Sequence, residues 1–187
     1  QNKKILEGYR KDSLVITGNP SYDLAIKEIN EKTIQKKNNK KIRILFLTVN
    51  LEGQGGKWSK KKRDFMLKEF LKFCANENYL VSIKIHPSGE NLDEYKDIIT
   101  SIDSKILIYQ KENLIDCLKE VDVVFSMSSS TAGLIALFLK KPIIIWNFFN
   151  VKNDLFLDKG LALECKNIEK LSNYVKQVSS TNPVSEE

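Results

Sequence analysis

Residues 120–147 read EVDVVFSMSSSTAGLIALFLKKPIIIWN. Val123-Val124-Phe125 is a short β-branched and aromatic run, the pattern of a buried strand. It gives way to Ser126-Met127-Ser128-Ser129-Ser130-Thr131. Apolar residues then recur at Leu134, Ile135, Leu137 and Phe138, which predicts a helix buried on most sides. Lys140-Lys141 places cations in its last turn and Pro142 stops it. Ile143-Ile144-Ile145-Trp146 is the next buried strand. Together these form one strand–helix–strand unit, about the shortest parallel crossover. The hydroxyl run falls where the strand meets the helix N-terminus. Free backbone N–H groups and the helix dipole make such a point a natural anion site. The same residues also suit an ordinary helix cap, and this stretch alone favours the cap.

Working outward, the same alternation recurs along the chain. Leu80 to Ile85 reads as a strand and runs directly into His86-Pro87-Ser88-Gly89, which contains the only histidine. A lone histidine is more often structural than catalytic. This one, however, sits at the C-terminal end of an expected parallel strand, outside which ligands bind in open α/β sheets. Ile42 to Val49 is a strong strand that ends in a glycine-rich turn carrying Gly53, Gly55, Gly56 and Lys57. Such a turn lets backbone approach a phosphate closely. Its spacing is neither the dinucleotide fingerprint nor a P-loop, and a plain flexible loop fits equally well. Lys60 to Asn76 predicts an amphipathic helix with Phe65, Phe70, Phe73 and Cys74 facing inward. Leu92 to Ile102 and Asn113 to Glu120 predict further helices, and Lys105 to Tyr109 a strand. Phe148 to Lys159 reads as an aromatic and acidic loop. Leu161 to Cys165 reads as a last short strand. Asn167 to Val178 predicts a closing helix with Leu171, Tyr174, Val175 and Val178 on one face. Towards the start, Ser13 to Thr17 reads as a strand, followed by the turn Gly18 to Asp23, a helical stretch from Leu24 to Gln35 and a lysine-rich loop from Lys36 to Lys41.

Strands and helices in alternation predict an α/β fold, a Rossmann-like parallel sheet with helices on both faces, in a single domain. Right-handed crossovers then bring the loops at 50–59, 86–91, 109–112 and 126–131 to one edge of the sheet. Those loops hold the glycines, the histidine and the hydroxyl run.

Composition narrows the function. The chain is 42% hydrophobic and 29% charged, enough for an ordinary globular core. The net charge of +6 lies largely in two lysine runs, at 36–41 and 60–63, which permit an anionic partner without demanding one. No aromatic interleaving marks a base-stacking surface, so nucleic acid is not an expected partner. Cys74, Cys117 and Cys165 are too widely spaced for a metal site or a disulfide framework, and fit buried free thiols in a reducing compartment. No apolar run reaches the length of a membrane span.

Four segments taken in order carry a resemblance: Val15 to Asp23 with its Thr-Gly-Asn-Pro, Ile85-His86-Pro87, Ser128 to Thr131, and Lys140 to Ile143. Together they resemble the C-terminal half of GT-B enzymes, in particular the UDP-N-acetylglucosamine 2-epimerase group and the transferases of bacterial surface polysaccharides. The resemblance implies a domain that binds the nucleotide part of a sugar donor. The nucleotide-sugar is then a substrate, with no cofactor and no metal. Gly53 to Lys57 and Ser128 to Thr131 would hold the diphosphate. His86 would lie near the donor phosphate as a hydrogen-bond donor or charge stabiliser, acting as the catalytic group. Two departures stand out. Ile135-Ala136 occupies the place of the family's ribose-binding Glu-Ala pair. Met127-Ser128-Ser129-Ser130 replaces the epimerases' Asp-Ser-Gly-Gly, which tilts the reading towards a transferase. An epimerase or sugar-nucleotide hydrolase, and a non-catalytic α/β binding module, remain the alternatives. The expected layout is a linker at 1–13 from a missing N-terminal domain of the same enzyme, the nucleotide-sugar domain at 14–178 and a frayed tail at 179–187. The expected place is the cytoplasm, with peripheral contact to the inner face of the membrane.

Overall fold

A computed structural model describes residues 22–23, 26–27, 41–49, 60–103, 105–147, 150 and 152–180. The chain divides into two compact units, Gln1–Thr33 and Ile34–Glu187. In the first, residues 22–23 and 26–27 are helical. The strand expected at Ser13 to Thr17 lies outside the described residues.

The second unit is built on six strands: β1 (Arg43–Leu47), β2 (Leu80–Lys84), β3 (Leu107–Tyr109), β4 (Val123–Ser126), β5 (Ile143–Trp146) and β6 (Leu163–Cys165). All neighbours pair in parallel, in the order β3-β2-β1-β4-β5-β6. The connections supply α1 (Lys60–Asn76), α2 (Leu92–Thr100), α3 (Leu114–Lys119), α4 (Thr131–Phe138) and the short α5 (Leu155–Asp158). A 3-10 turn (Ile168–Lys170) leads into the closing helix α6 (Leu171–Ser180). The expected parallel, Rossmann-like sheet is therefore what forms.

The central strands β4 and β5 are buried at every position, and apolar but for Ser126, because both faces are covered, as a parallel sheet requires. Ile44, Phe46, Ile83, Val123, Phe125, Ile144 and Trp146 share one core with α1, α2 and α6. Within it Phe70 of α1 stacks on Phe125 at 4.6 Å and on Phe46 at 5.0 Å, and Trp146 closes on Phe125 at 5.6 Å. Such ring pairs add about 0.5–1.5 kcal/mol each beyond burial, and here they bind one helix to three strands. Leu45, Val124, Ile143 and Ile145 alternate to the other face and are fully buried there.

Four local expectations change. Phe65 is 59% exposed, because the buried stripe of α1 runs through Met66, Leu67, Phe70, Leu71 and Cys74. Phe73 is only half-buried, packed against the edge of the core. Lys140 and Lys141 lie just beyond α4 rather than in its last turn, since the helix ends at Phe138 and Lys140 turns left-handed (φ 54°). The segment read as a loop at 148–159 contains α5, started by Asp154, whose carboxylate accepts from the amides of Phe156 and Leu157.

Candidate functional site

The order of the strands reverses between β1 and β4, and a crevice opens outside the C-terminal ends at such a switch point. A cleft of about 820 Å³ lies there. Its walls come from Thr48 and Val49 after β1, His86 and Pro87 after β2, Gln110 to Glu112 after β3, and Ser128 to Ala132 between β4 and α4. The cleft thus brings together His86, Ser128, Ser129, Ser130 and Thr131, all five expected from the sequence. Gly53, Gly55, Gly56 and Lys57 lie outside the described residues.

His86 is half-buried in the cleft wall. Its Nδ1 is 2.6 Å from the carbonyl oxygen of Ser88. The Ser88 amide also points at Nδ1, at 3.2 Å, and would require the opposite protonation. The shorter contact, to a carbonyl that can only accept, favours the proton on Nδ1. Nε2 is then bare in the neutral ring and becomes a donor when the ring is cationic. The turn that makes this possible passes through Gly89 at φ 78°, a left-handed conformation that glycine adopts without strain.

Behind the histidine lies a carboxylate. Glu90 accepts hydrogen bonds from the Thr48 hydroxyl, the Tyr95 hydroxyl and, at 3.0 Å, the His86 amide. Its backbone carbonyl accepts from Gln110 Nε2 at 3.0 Å. Burial, with the neighbouring Glu90 carboxylate, pushes the Tyr95 phenol well above its ordinary range and keeps it a donor. The Arg63 guanidinium covers the Tyr95 ring 4.7 Å from its centre.

The four hydroxyl residues divide their work. Ser130 caps α4, its Oγ accepting the Gly133 amide at 3.1 Å. The Ser129 amide donates to Asp154 Oδ2 at 2.7 Å. Asp154 is buried and uses its other oxygen to cap α5. Gly133 lets α5 come close, since a Cβ there would lie 2.6 Å from Phe156 Cε2. Ser128 differs from its neighbours: its Oγ is buried in the cleft wall and bonds to nothing. Thr131 is exposed at the helix start. The amides of Thr131 and Ala132 belong to the first turn of α4, where the helix itself supplies no acceptor. An unspent hydroxyl, two unspent amides and the positive end of a helix converge on one side of the cleft.

The third wall is braced by Lys84, whose Nζ donates to the carbonyls of Gln110 at 2.6 Å and Glu112 at 2.8 Å. Glu112 bonds back to the Gln110 amide at 2.6 Å. Hydrogen bonds from its own loop's backbone hold its carboxyl below the usual range. The sequence reading missed Lys84, Glu90 and Asp154, and held Gln110 only as part of the loop at 109–112. Lys84 alone left a signal, as a charge closing a mostly apolar strand.

The geometry can be set beside known proteins. No curated protein matches the chain. Among solved structures, UDP-GlcNAc 2-epimerase of Methanocaldococcus jannaschii, in complex with UDP-GlcNAc and UDP, superposes with a TM-score of 0.57 at 16% identity over 97% of this chain and 52% of its own. S. aureus MnaA with UDP gives 0.52 at 16% identity, over 95% of this chain and 48% of its own. A variant of S. aureus TarM, in complex with fondaparinux, α-GlcNAc-glycerol and UDP, gives 0.50 at 17% identity, over 80% of this chain and 31% of its own. These likenesses establish a shared fold, and the chain spans about half the length of the first two and a third of the other. The family described as capsule polysaccharide biosynthesis protein matches residues 11–149, well over half of the sequence. The chain belongs to the capsule polysaccharide biosynthesis protein family.

Proposed function

We propose that this chain is the donor-binding half of a GT-B type glycosyltransferase that uses a nucleotide-activated sugar in cell-surface polysaccharide synthesis. One observation carries the reading. His86, Ser128 with its buried and unpartnered hydroxyl, and the first turn of α4 line one cleft at the switch point of the sheet. In glycosyl transfer an acceptor oxygen bonds to the sugar's anomeric carbon as the bond to the donor phosphate breaks. The electron pair of that bond leaves on the phosphate. Groups aimed at that growing charge supply the largest share of such catalysis. Cationic His86 would donate from Nε2 to the leaving phosphate. Ser128 Oγ and the amides of Thr131 and Ala132 would hold the diphosphate at the helix end. Gly53 to Lys57 would complete the phosphate site. Ile135 lines the cleft in place of a ribose-binding glutamate, so the ribose would meet an apolar wall there.

The other domain of the same enzyme would bind the acceptor and supply the base. We place the boundary of the donor domain at residues 14–178. An isotope-labelled chain titrated with UDP, CDP and CMP tests the reading. Saturable amide shifts at His86 and at Ser128 to Ala132 are expected from at least one of them. Unmoved amides with all three would leave the hydroxyl run as a helix cap alone.

The superposition on a UDP-GlcNAc 2-epimerase over 97% of this chain favours a second reading, an epimerase-like or hydrolytic domain. Incubating the full-length enzyme with UDP-GlcNAc and no acceptor separates the two, since a new sugar product would select the second. Peripheral membrane contact is supported by α1, whose outer stripe holds Lys61, Lys68 and Lys72 around exposed Phe65. Lys72 is partly neutralised by Glu69 at 3.3 Å. Among the described residues no helix is long and apolar enough to cross a membrane. Equal sedimentation with anionic and neutral vesicles would sink the contact.

A further inference from the structure

We infer that Glu90 is the positioning residue of this cleft, the group that fixes the protonation pattern and aim of the His86 ring. The inference rests on His86 being the phosphate-facing group. The observation behind it is the convergence of four strand and helix ends on one residue. Thr48 follows β1, His86 follows β2, Tyr95 belongs to α2 and Gln110 follows β3. Each of the four spends a hydrogen bond on Glu90.

The His86 amide donates to the Glu90 side chain at 3.0 Å, closing the loop 86–90 on itself, and also at 2.9 Å to the Thr48 hydroxyl oxygen, which Glu90 in turn holds. The three residues inside that loop, Pro87, Ser88 and Gly89, are exposed and have no core of their own to hold them. Yet the Ser88 carbonyl must stay in place, because it holds Nδ1 and thereby leaves Nε2 as the ring nitrogen available to a ligand. A carboxylate is suited to this task because its two oxygens only accept, and all three groups that reach it are donors. Glu90 does not line the cleft, so it acts through the histidine.

The chain's single histidine makes the test direct. Imidazole nitrogen NMR at alkaline pH, on the 187-residue chain without nucleotide, reads the tautomer of His86 alone. The wild type is expected to show the proton on Nδ1. Glu90→Ala is expected to release the loop and move the ring to the Nε2-protonated form that a free imidazole prefers. Its affinity for UDP should fall about tenfold, the worth of one hydrogen bond to a charged group. Glu90→Gln keeps an oxygen for Thr48 and His86 and turns its amide towards the Tyr95 oxygen, so it should restore both readouts. If Glu90→Ala does not fold, Glu90→Asp, one methylene too short to reach, takes its place with the same expected change. A folded Ala or Asp variant with the proton still on Nδ1 overturns the inference. So does a Gln variant that behaves like Ala. If the wild type fails to bind UDP, CDP or CMP, the donor reading fails while the tautomer result still decides the role of Glu90.

Discussion

The two edges of this sheet are built from similar residues to opposite ends. At the N-terminal edge, Arg43 of β1 meets Asp122 just before β4. The backbone amide of Arg43 donates to Asp122 Oδ2 at 2.9 Å, and the guanidinium grips both carboxylate oxygens at 3.2 and 2.8 Å. Lys141 closes the same edge onto the Val121 carbonyl at 2.7 Å. Burial pushes the Lys141 ammonium below its ordinary range, with Asp122 opposing the shift. This edge spends its charges on itself. At the C-terminal edge Glu90 is also spent internally, but Ser128 Oγ and the face of His86 towards the cleft are not. A fold gains nothing from leaving a buried hydroxyl unsatisfied. The difference therefore marks which edge is arranged for a partner.

Variants can break that contrast. The largest effect is expected from His86→Ala, which should lower turnover of the enzyme containing this chain by about 100-fold or more while leaving its melting temperature in place. A loss of folding without a loss specific to turnover would put the histidine with the structural edge. Gly133→Ala comes next. In an open helix the change would stabilise by nearly 1 kcal/mol. Here the new methyl meets the buried Phe156 ring, so a net loss of about 1–3 kcal/mol in urea unfolding is expected. A gain would show that α5 yields freely.

At the other edge, Asp122→Asn should cost about 1–2 kcal/mol, the value of charge-assisted bonds discounted for partial exposure. Nucleotide affinity should not change. Burial alone would raise the Asp122 carboxyl, but the hydrogen bonds from the side chain and backbone of Arg43 outweigh it and hold the group below the usual range. A depressed carboxylate contributes stability that is fully present above its unfolded value. That stability is lost as pH falls through the folded one. Acid unfolding of the wild type should therefore be steeper than that of Asp122→Asn, and identical slopes would remove the pair from the account.

The smallest effects separate two neighbouring serines. Ser130→Ala should cost about 1 kcal/mol of stability, as a lost cap does. Ser128→Ala should cost none, because its hydroxyl bonds to nothing, and should weaken nucleotide binding instead. Equal behaviour of the two would erase the distinction between cap and ligand group.

The sheet was legible because its strands are apolar runs bounded by Gly, Pro, Asn and charge. Their order of alternation with helices leaves few topologies. Phe65 misled because a helix that starts with three lysines gives its aromatic residues no fixed side until the buried stripe is known. At the site, His86 and the hydroxyl run were legible from residue type and from their place after a strand. Glu90 and Asp154 were not, and Lys84 showed only as a charge closing its strand. Each acts on a loop from a different strand, and which loops become neighbours depends on the sheet order rather than on anything nearby in sequence. Nor could spacing divide the work among Ser128, Ser129 and Ser130, since backbone direction alone decides which hydroxyl caps and which faces the cleft.

The grip of Asp154 on Ser129 has a consequence for how the cleft would meet a ligand. That grip joins the turn before α4 to the turn before α5, and Phe156 seals the join against Gly133. The turn is thus held before anything arrives, and little conformational entropy remains to be lost there on binding. In hydrogen exchange, the Ser129 amide should be slow in the empty protein and scarcely slower with nucleotide. The amides of Thr131 and Ala132, one turn away, should be fast when empty and change most.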